Sequence, residues 1–532
     1  MDTHGGSISV WMATANVPVF SPLTGYVETD VCVIGAGIGG LTCAYLLSQE
    51  GKEVVLIDSM EIGSGETGRT TAHFFPPDKR YFELERAFGV DYARLVADSF
   101  HQATDLVEAI TRNEGIDCEF ERLDGYLFSA TRADTEILVR ESHAARSAGA
   151  VVSMVERVPG LSFDSGPCLR FRNQAQFHPL KYLSGLARAF TASGGRIFTQ
   201  TRAIDVAGDS TMREVQTHGG KIRAKAVVIA TNTPFNDRVV VHTKQAGYRT
   251  YVIGLRVPKD SVPRVLMWDT GDPYHYIRLQ TPAGQTGQTG HDILLVGGAD
   301  HKVGQDEHPE HRYNELESWA RERYPMSGPV EFKWSGEVME PADGVAFLGC
   351  NPMDAGNVYV ITGDSGNGMT HCTVGAMLIT DLIMGRANPW TAVYDPSRKP
   401  LHGVTEFARE QANTLSRYRD WLTGGEVESA REVAPGEGAI MRQGTKKLAV
   451  YRNHDGGLHV LSAACTHLGC VVAWNSAEKS WDCPCHASRF DVNGEILHGP
   501  AMKPLSLEVL NEAGPIAGGN QGEGAGDQGR PR

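Results

Sequence analysis

The sequence lacks an excess of positive charge and lacks long apolar runs. Its 50 Lys and Arg residues are outnumbered by 64 Asp and Glu residues, which gives a formal net charge of −14. Nucleic-acid and anionic-membrane surfaces need clustered Lys and Arg, so neither class of partner is expected. No apolar run is long enough to cross a bilayer, and the N-terminus lacks the basic-then-apolar pattern of a secretory signal. We therefore expect a cytoplasmic protein with no transmembrane segment.

Cysteine is sparse outside one short stretch. Four of the ten cysteines lie between residues 465 and 485. The other six show no pairing pattern, so in a reducing compartment we expect them to be free and mostly buried. These six are Cys32, Cys43, Cys118, Cys168, Cys350 and Cys372.

The chain is too long for one ordinary core. Its 532 residues predict two or three domains. Strand, glycine turn, helix and strand follow one another over residues 31–57, which is typical of a βαβ unit. Helical spacing is expected from about 82 to 148, and alternating strands from 249 to 297. The last 22 residues contain seven glycines and almost no large apolar side chains, so 511–532 are expected to be a disordered tail.

A glycine fingerprint opens the first helix. Gly35, Gly37 and Gly40 form G-x-G-x-x-G directly after a strand, and Asp58 ends the second strand. This context predicts a dinucleotide site, in which the helix N-terminus faces the phosphates and Asp58 accepts bonds from the ribose hydroxyls. Periodicity alone does not separate FAD from NAD, and a tight turn without a ligand is the other interpretation.

Two further segments carry a resemblance to a known family. GSGETGRTTAH (63–73) and TGDSGNGMTH (362–371) resemble the flavin-contact loops of the D-amino-acid-oxidase-like FAD-dependent oxidoreductases. The resemblance implies FAD, with a helix N-terminus near the pyrimidine ring that would stabilise the reduced flavin. The cofactor contacts that it implies, beyond the fingerprint, are Arg69, Thr70, Thr71, His73, Ala203, Gly363, Asp364, Gly366, Asn367, Gly368, Met369 and Thr370.

The flavin's attachment and its electron source are separate questions. Some amine-oxidising relatives link the flavin through a histidine in a comparable loop, so His73 is either a covalent attachment point or a noncovalent neighbour. No second G-x-G-x-x-G follows Gly40. Because flavoproteins reduced by NAD(P)H usually carry a second dinucleotide fold, we expect an organic substrate to reduce the flavin directly.

A dense metal-ligand pattern stands near the C-terminus. Cys465 and His467 form C-x-H, and Cys483 and His486 form C-x-x-H, with 15 residues between the two pairs. Such a set could hold one Zn²⁺. The paired spacing favours a two-iron cluster in which the cysteines hold one iron and the histidines the other.

The motif CTHLGC…CPCHxS resembles the disulfide-bearing Rieske proteins. The resemblance implies a [2Fe–2S] cluster, a Cys470–Cys485 disulfide between its loops, and a Ser488 hydroxyl bonded to a cluster sulfur. Ala487 stands where the family usually has glycine, and Gly499–Ala501 resembles the proline loop over the cluster. Rieske potentials of roughly −150 to +300 mV exceed the −400 mV or so of plant-type clusters, so such a cluster is expected to take electrons from the flavin singly.

A mononuclear iron, as in Rieske oxygenases, would need two histidines and a carboxylate. His301, His308 and His311 are candidate ligands, but their polar segment between a strand and a helix favours a solvated loop.

Taken together, the chain resembles bacterial FAD-dependent oxidoreductases with a C-terminal Rieske domain (the YhfW type). The expected fold is an α/β FAD-binding Rossmann-type domain with an interleaved α+β substrate domain, plus a small all-β Rieske domain. The expected units are an N-terminal segment (1–28), FAD-binding parts (29–90, 175–235, 340–425), substrate-side parts (91–174, 236–339), the Rieske domain (426–510) and the tail.

The resemblance implies oxidation of a small amine or amino-acid-like substrate by hydride transfer to flavin. Electrons would then leave through the cluster to an acceptor protein or quinone. The alternatives are a redox relay, in which a partner feeds electrons through the cluster, and an oxidase that uses O₂. No catalytic base stands out. Candidate substrate-side residues, for each of which a scaffold role is the other interpretation, are Tyr251, Tyr274, His275, Tyr276, Arg278, Glu340 and Asp343.

Overall fold

The computed structural model describes residues 7–131, 134–236, 241–281, 290–352, 354, 356–399 and 404–510. The predicted disordered tail, 511–532, lies outside these residues. The helices are α1 (Val10–Thr14), α2 (Ile38–Gln49), α3 (Tyr81–Phe88), α4 (Val90–Asn113), α5 (Thr135–Ser147), α6 (Pro179–Ala192), α7 (His311–Arg323), α8 (Gly368–Ile383), α9 (Thr391–Tyr394) and α10 (Val404–Arg417).

Most strands belong to two large sheets. The strands up to residue 258 are β1 (Gly25–Ile34), β2 (Val54–Ile57), β3 (His73–Phe74), β4 (Glu121–Phe128), β5 (Val152–Val155), β6 (Cys168–Gln176), β7 (Arg196–Phe198), β8 (Ala203–Gly208), β9 (Arg213–Thr217), β10 (Gly220–Asn232) and β11 (Gln245–Pro258). The later ones are β12 (Leu266–Asp269), β13 (Tyr276–Gln280), β14 (His291–Lys302), β15 (Val330–Pro341), β16 (Phe347–Cys350) and β17 (Val358–Thr362).

The first sheet is the dinucleotide-binding layer. Its main order is β16-β17-β10-β1-β2-β7, with β17, β10, β1, β2 and β7 parallel and β16 antiparallel. All four residues of β2 are buried, as expected for a parallel strand covered on both faces. Helices α2 and α8 pack against each other beside this sheet. The carboxyl ends of β1, β2, β10 and β17 therefore meet along one edge, where α/β sheets bind ligands.

The second sheet is mixed and faces that edge. Its main order is β15-β11-β14-β13-β12-β4-β6-β3. Strand β4 corrects the expectation of continuous helical spacing from 82 to 148, because Gly125–Phe128 pair with β6 and with β12 in the sheet. The polar first half of β4 is half-buried and its second half is buried, a pattern that one-dimensional periodicity does not distinguish from a helix face.

A small all-β unit completes the chain. It contains a three-stranded and a four-stranded sheet. Their strands are β18 (Gly438–Gln443), β19 (Lys446–Arg452), β20 (Leu458–Ser462), β21 (Ala473–Asn475), β22 (Ser480–Asp482), β23 (Arg489–Phe490) and β24 (Ile496–His498). The fold class predicted from the sequence is confirmed.

The beginning of the chain packs on the larger part of the protein. Trp11 of α1 is fully buried and its Nε1–H donates to the Thr70 carbonyl at 2.5 Å. Ser9 caps α1 and its hydroxyl donates to the Gly68 carbonyl at 2.6 Å. Both contacts fix the 63–73 loop. Among the described residues, no helix has the length and apolar character that crossing a membrane requires.

Candidate active site and metal centre

Two positions of the glycine turn have no room for a side chain. A Cβ on Gly35, whose φ is +107°, would lie 2.4 Å from the Ala230 carbonyl oxygen. A Cβ on Gly40 would lie 1.9 Å from the Gly35 carbonyl oxygen. The turn is thus pressed onto β10 on one side and onto its own helix on the other. This leaves the N-terminus of α2 open toward a ligand.

Asp58 fixes the same turn from the end of β2. The Ala36 N–H donates to Asp58 Oδ2 at 2.6 Å, and the Met60 N–H donates to Oδ1 at 2.8 Å. Burial raises the pKa of this carboxyl, although these two bonds oppose the rise. Asp58 also lines the cavity, where its position suits contact with a ribose.

One continuous cavity joins the glycine turn to the second sheet. Its wall includes eleven of the predicted cofactor contacts: Gly35, Gly37, Asp58, Arg69, Thr70, Thr71, Ala203, Asp364, Gly366, Gly368 and Met369. A long groove with helix N-termini from both α2 and α8 fits a dinucleotide that carries an anionic pyrophosphate and an electron-rich ring.

Five predicted contacts lie behind this wall, where they shape it. They are Gly40, His73, Gly363, Asn367 and Thr370. Asn367 shows the role: its Oδ1 accepts from the Asp78 N–H at 2.7 Å, and its Nδ2 donates to the Pro76 carbonyl. It ties the loop after β3 to the start of α8. Arg69 lines the cavity, but its guanidinium is engaged with the Ser335 carbonyl and with Glu478.

Only part of the predicted substrate side reaches the cavity. Tyr274, Tyr276 and Glu340 line it. Tyr251 is a core residue whose hydroxyl lies 2.9 Å from His301 Nε2. Arg278 is buried, and its Nη1 donates to the carbonyls of Thr71, Ala72 and Phe177.

Two other candidates are structural. His275 Nδ1 lies 2.8 Å from Asp269 Oδ2, and the ring stacks on Trp319. Asp343 binds Arg398 through both oxygens, at 2.8 and 2.9 Å. Alternation along a strand predicts which residues share a face of the sheet. It does not indicate which of the two faces borders the cavity.

The predicted cluster residues meet between two loops of the small domain. Cys465 and Cys483 are buried, and the rings of His467 and His486 lie 4.9 Å apart. Cys470 and Cys485 form a disulfide, and their sulfurs lie within 4.8 Å of Cys483 Sγ. Two buried thiols facing two imidazoles is the donor set that a Rieske [2Fe–2S] cluster requires.

The loop around the cluster residues explains the unusual alanine. Ala487 adopts φ +62°, which normally favours glycine. A Cβ on Gly247 of β11 would lie 2.3 Å from the Ala487 methyl group. The methyl therefore occupies space that a glycine on the neighbouring domain leaves free. Next to it, the Ala501 N–H donates to Ser488 Oγ at 3.0 Å.

The candidate mononuclear ligands do not converge. His301 is bonded to Tyr251, while His308 and His311 are exposed and stack on each other at 5.2 Å. In the part of the chain that the structure describes, none of the three belongs to a group of His, Cys, Asp and Glu arranged for a metal. The solvated-loop interpretation fits His308, but it is wrong for His301, which is half-buried in β14, and for His311, which begins α7.

The small domain forms part of the cavity wall, which the sequence did not indicate. Residues 497–499, 501 and 502 line the cavity together with the glycine turn. Arg202 Nη2 donates to the Ile496 carbonyl at 3.1 Å. His498 Nδ1 lies 3.0 Å from Glu337 Oε1 of β15. Burial opposes charge on this imidazole, but Glu337 raises the pKa of His498 above its ordinary value.

A buried ionic network lies where the two parts meet. Arg249 pairs with Glu337 at 3.3 Å within the larger part, and Arg489 pairs with Asp482 at 3.1 Å within the small domain. Glu478, in the turn between β21 and β22, accepts from the Ser335 hydroxyl at 2.6 Å and lies 3.7 Å from Arg69. These side chains are at most 2% exposed. The network fixes the orientation in which the domains meet.

The imidazole side of the metal centre faces the larger part of the protein. The His467 ring lies 5.3 Å from the ring of His242, which begins the short helical turn His242–Lys244 before β11. Together with the Ala487–Gly247 contact, this directs the histidine-bearing end of the centre toward the domain that contains the cavity.

Two family models match the chain. The model of the DAO family, described as FAD dependent oxidoreductase, matches residues 30–382, and the Rieske [2Fe-2S] domain model matches residues 425–511. The chain is 31% identical to the putative Rieske 2Fe-2S iron-sulfur protein YhfW of Bacillus subtilis, over 93% of this chain and 96% of that protein. It is 24% identical to gamma-glutamylputrescine oxidoreductase of Escherichia coli, over 76% and 94% of the two chains.

Solved structures show the same fold. Glycine oxidase from Geobacillus kaustophilus superimposes with a TM-score of 0.59 at 20% identity, covering 70% of this chain and 99% of that one. L-proline dehydrogenase from P. horikoshii gives a TM-score of 0.56 at 16% identity, covering 71% and 98%.

Proposed function

Because the chain belongs to the DAO family of FAD-dependent oxidoreductases and carries a C-terminal Rieske [2Fe–2S] domain, we propose that it is a dehydrogenase for a small amine or amino-acid-like compound. In this proposal the electrons pass singly through the cluster to an external acceptor protein or quinone. The observation that carries the proposal is the shared wall: residues 497–502 of the Rieske domain and the glycine turn of the flavin domain border one cavity.

The proposed FAD site runs along this cavity. Gly35, Gly37 and Asp58 would hold the nucleotide half, while Thr70 and Thr71 and the α8 N-terminus from Asp364 to Met369 would hold the ring. When bound, FAD supplies a two-electron acceptor for the hydride of a C–H bond next to nitrogen. The protein's own part is to orient the substrate against that ring and to exclude water with the Tyr274 and Tyr276 side chains.

We expect this FAD to be noncovalent. His73 does not line the cavity, its Nδ1 lies 2.9 Å from Thr71 Oγ1, and its Nε2 lies 3.4 Å from the Ile277 carbonyl. Burial lowers the pKa of this ring to about 3, so it is neutral and held in place. Acid precipitation of the holoprotein should leave all of the flavin absorbance in the supernatant. Yellow colour that stays with the washed precipitate would contradict this expectation.

The proposed cluster ligands are Cys465 and Cys483 on one iron and His467 and His486 on the other. The cluster supplies a one-electron acceptor whose potential is raised by imidazole ligation. The chain contributes the orientation: the ionic network around Glu478 and Arg249 keeps the histidine-bearing end directed at the flavin domain. We place the boundary between the domains at residues 425 and 426, because Val427 already pairs with Met441 of β18.

We further propose a cytoplasmic location in a bacterium. Cys32, Cys43, Cys118 and Cys168 are buried and unpaired in disulfides, which suits a reducing compartment. The Cys470–Cys485 disulfide is compatible with that compartment because both residues are buried, and a shielded bridge can resist reduction.

The test is anaerobic mixing of the holoprotein with a series of amines and amino acids, followed by absorbance. Loss of the flavin absorbance first and of the cluster absorbance second would support the dehydrogenase. Reduction only by an external reduced electron carrier would contradict it and support a redox relay. In a parallel aerobic assay, fast peroxide formation that persists after the cluster is removed would contradict it and support an O₂-using oxidase.

A further inference from the structure

The substrate end of the cavity is unusually acidic. We propose, on the basis of the proposed function, that the substrate is an alkylammonium compound without a carboxylate, and that Asp78, Asp300 and Glu340 bind its positive charge. These three carboxyls come from separate elements: Asp78 lies in the loop after β3, Asp300 lies in β14, and Glu340 lies in β15. All three line the cavity.

The three carboxyls form one electrostatic group. Asp78 interacts electrostatically with Asp300, with Glu340 and with the phenol of Tyr274. Burial raises the pKa of Asp78 to about 6, of Asp300 to about 7 and of Glu340 to about 8. Ionising all three carboxyls in the empty cavity is therefore unfavourable. A bound cation would favour their ionised forms.

One oxygen of the Asp300 carboxyl has no hydrogen-bond donor. Thr250 bonds to the carboxyl, but Oδ1 is shielded from solvent and has no partner among the described residues. A buried carboxylate oxygen without a donor is costly, so such atoms call for an explanation. An ammonium N–H directed at Asp300 would provide the missing donor. Glu340, by contrast, already accepts from the Ser365 hydroxyl at 3.0 Å.

Among the described residues that line the cavity, no cation is placed for a substrate carboxylate. His498 is paired with Glu337, and Lys79 and Arg80, which interact electrostatically with Asp78, lie outside the lining. Among the described residues that line it, the arginines are Arg69, which faces Glu478, and Arg202, which is bonded to the Ile496 carbonyl near the nucleotide end. Arg278, the cation expected on the substrate side, is buried behind the wall. A substrate carboxylate at this end would lose its water without gaining a counter-charge, which is costly.

Neighbouring residues complete a site for an ammonium group. A Cβ on Gly297 would overlap the Tyr276 ring, and one on Gly298 would lie 2.4 Å from the Tyr274 carbonyl oxygen, so these glycines admit both tyrosines. Tyrosine rings attract cations through their faces. Asp272, which is exposed, also lines the cavity and adds negative charge near its opening, which would steer cations inward.

The test uses three probes of equal chain length with the anaerobic holoprotein: n-butylamine, 1,4-diaminobutane and 4-aminobutyrate. Dissociation constants are measured by calorimetry and by flavin difference spectra, whether or not turnover occurs. We expect both amines to bind and 4-aminobutyrate to bind more weakly. Asp300→Asn and Glu340→Gln should each weaken amine binding by roughly 10- to 100-fold, since each removes a charge-assisted hydrogen bond. Asp205→Asn, on an exposed position of β8, is the matched control and should change nothing.

The outcomes separate this inference from the proposed function. Tighter binding of 4-aminobutyrate, no binding of either amine, or full amine affinity in both variants at normal FAD content would overturn the cationic site. If amino acids but not amines bleach the flavin, the dehydrogenase stands and this inference fails. If nothing is oxidised but the binding pattern holds, the inference stands and the dehydrogenase fails.

Discussion

Cys483→Ser should remove the iron–sulfur cluster while leaving FAD in place. Cys483 is 1% exposed and lies beside Cys465, and the two other sulfurs within 4.8 Å of it, those of Cys470 and Cys485, are joined in a disulfide. A serine oxygen is a poor replacement for a thiolate that holds iron. Iron and acid-labile sulfide should fall to background, while the flavin content remains that of the unaltered protein.

The expected functional loss is large and selective. Changes to residues that hydrogen-bond to metal ligands typically lower metal affinity or activity by roughly 10- to 100-fold. Loss of a ligand itself should lower the rate of electron delivery to an external acceptor by more than this. Substrate-dependent bleaching of the flavin should persist. Cys350→Ser, at an exposed free cysteine, serves as the control with normal iron content. Normal acceptor-linked rates in the iron-free Cys483→Ser protein would exclude the cluster from the electron path.

Glu478→Ala should be strongly destabilising. It would leave Arg69 buried without its carboxylate and would remove the acceptor of the Ser335 and Ser7 hydroxyls. Removing one partner from a buried ion pair typically costs about 3–5 kcal/mol, because the remaining charge is uncompensated. Urea unfolding followed by circular dichroism and by loss of cluster absorbance should show this loss at the transition that separates the Rieske domain.

The control for this change is Glu428→Ala, at an exposed position of the same domain, which should stay within about 0.5 kcal/mol of the parent. Arg69 and Arg249 hold the pKa of Glu478 below its ordinary value although burial opposes them. Its contribution is therefore present at neutral pH and is lost as the pH falls through its lowered folded-state pKa. A Glu478→Ala protein as stable as the control variant would show that the network does not hold the domains together.

The sequence could predict the two cofactors because each is indicated by a short local motif. A Cβ on Gly40 would lie 1.9 Å from the Gly35 carbonyl oxygen, within one strand–turn–helix unit. The four cluster residues lie in two short loops, whose spacing reflects the donor set directly. Such constraints act over a few residues, so a single sequence displays them.

The relation between the two centres could not be predicted in this way. His498 and Glu337 are 161 positions apart in the chain and belong to different domains, yet they pair at 3.0 Å beside the cavity. Ala487 departs from the family pattern, and its methyl group occupies space that the absent side chain of Gly247 on β11 leaves free. Likewise Tyr251 of β11 and Tyr276 of β13 belong to one sheet, in which β14 lies between their strands, but only Tyr276 lines the cavity. These are properties of packing between distant segments.

The central claim is that the cluster receives electrons from the flavin of the same molecule. The direct measurement mixes oxidised, anaerobic protein with a limiting two-electron reductant and freezes samples at successive times for EPR of the reduced cluster. The account predicts that the flavin is reduced first and that the cluster signal then rises at a rate independent of protein concentration. A rate that increases in proportion to protein concentration, or a cluster that stays oxidised beside reduced flavin, would contradict it.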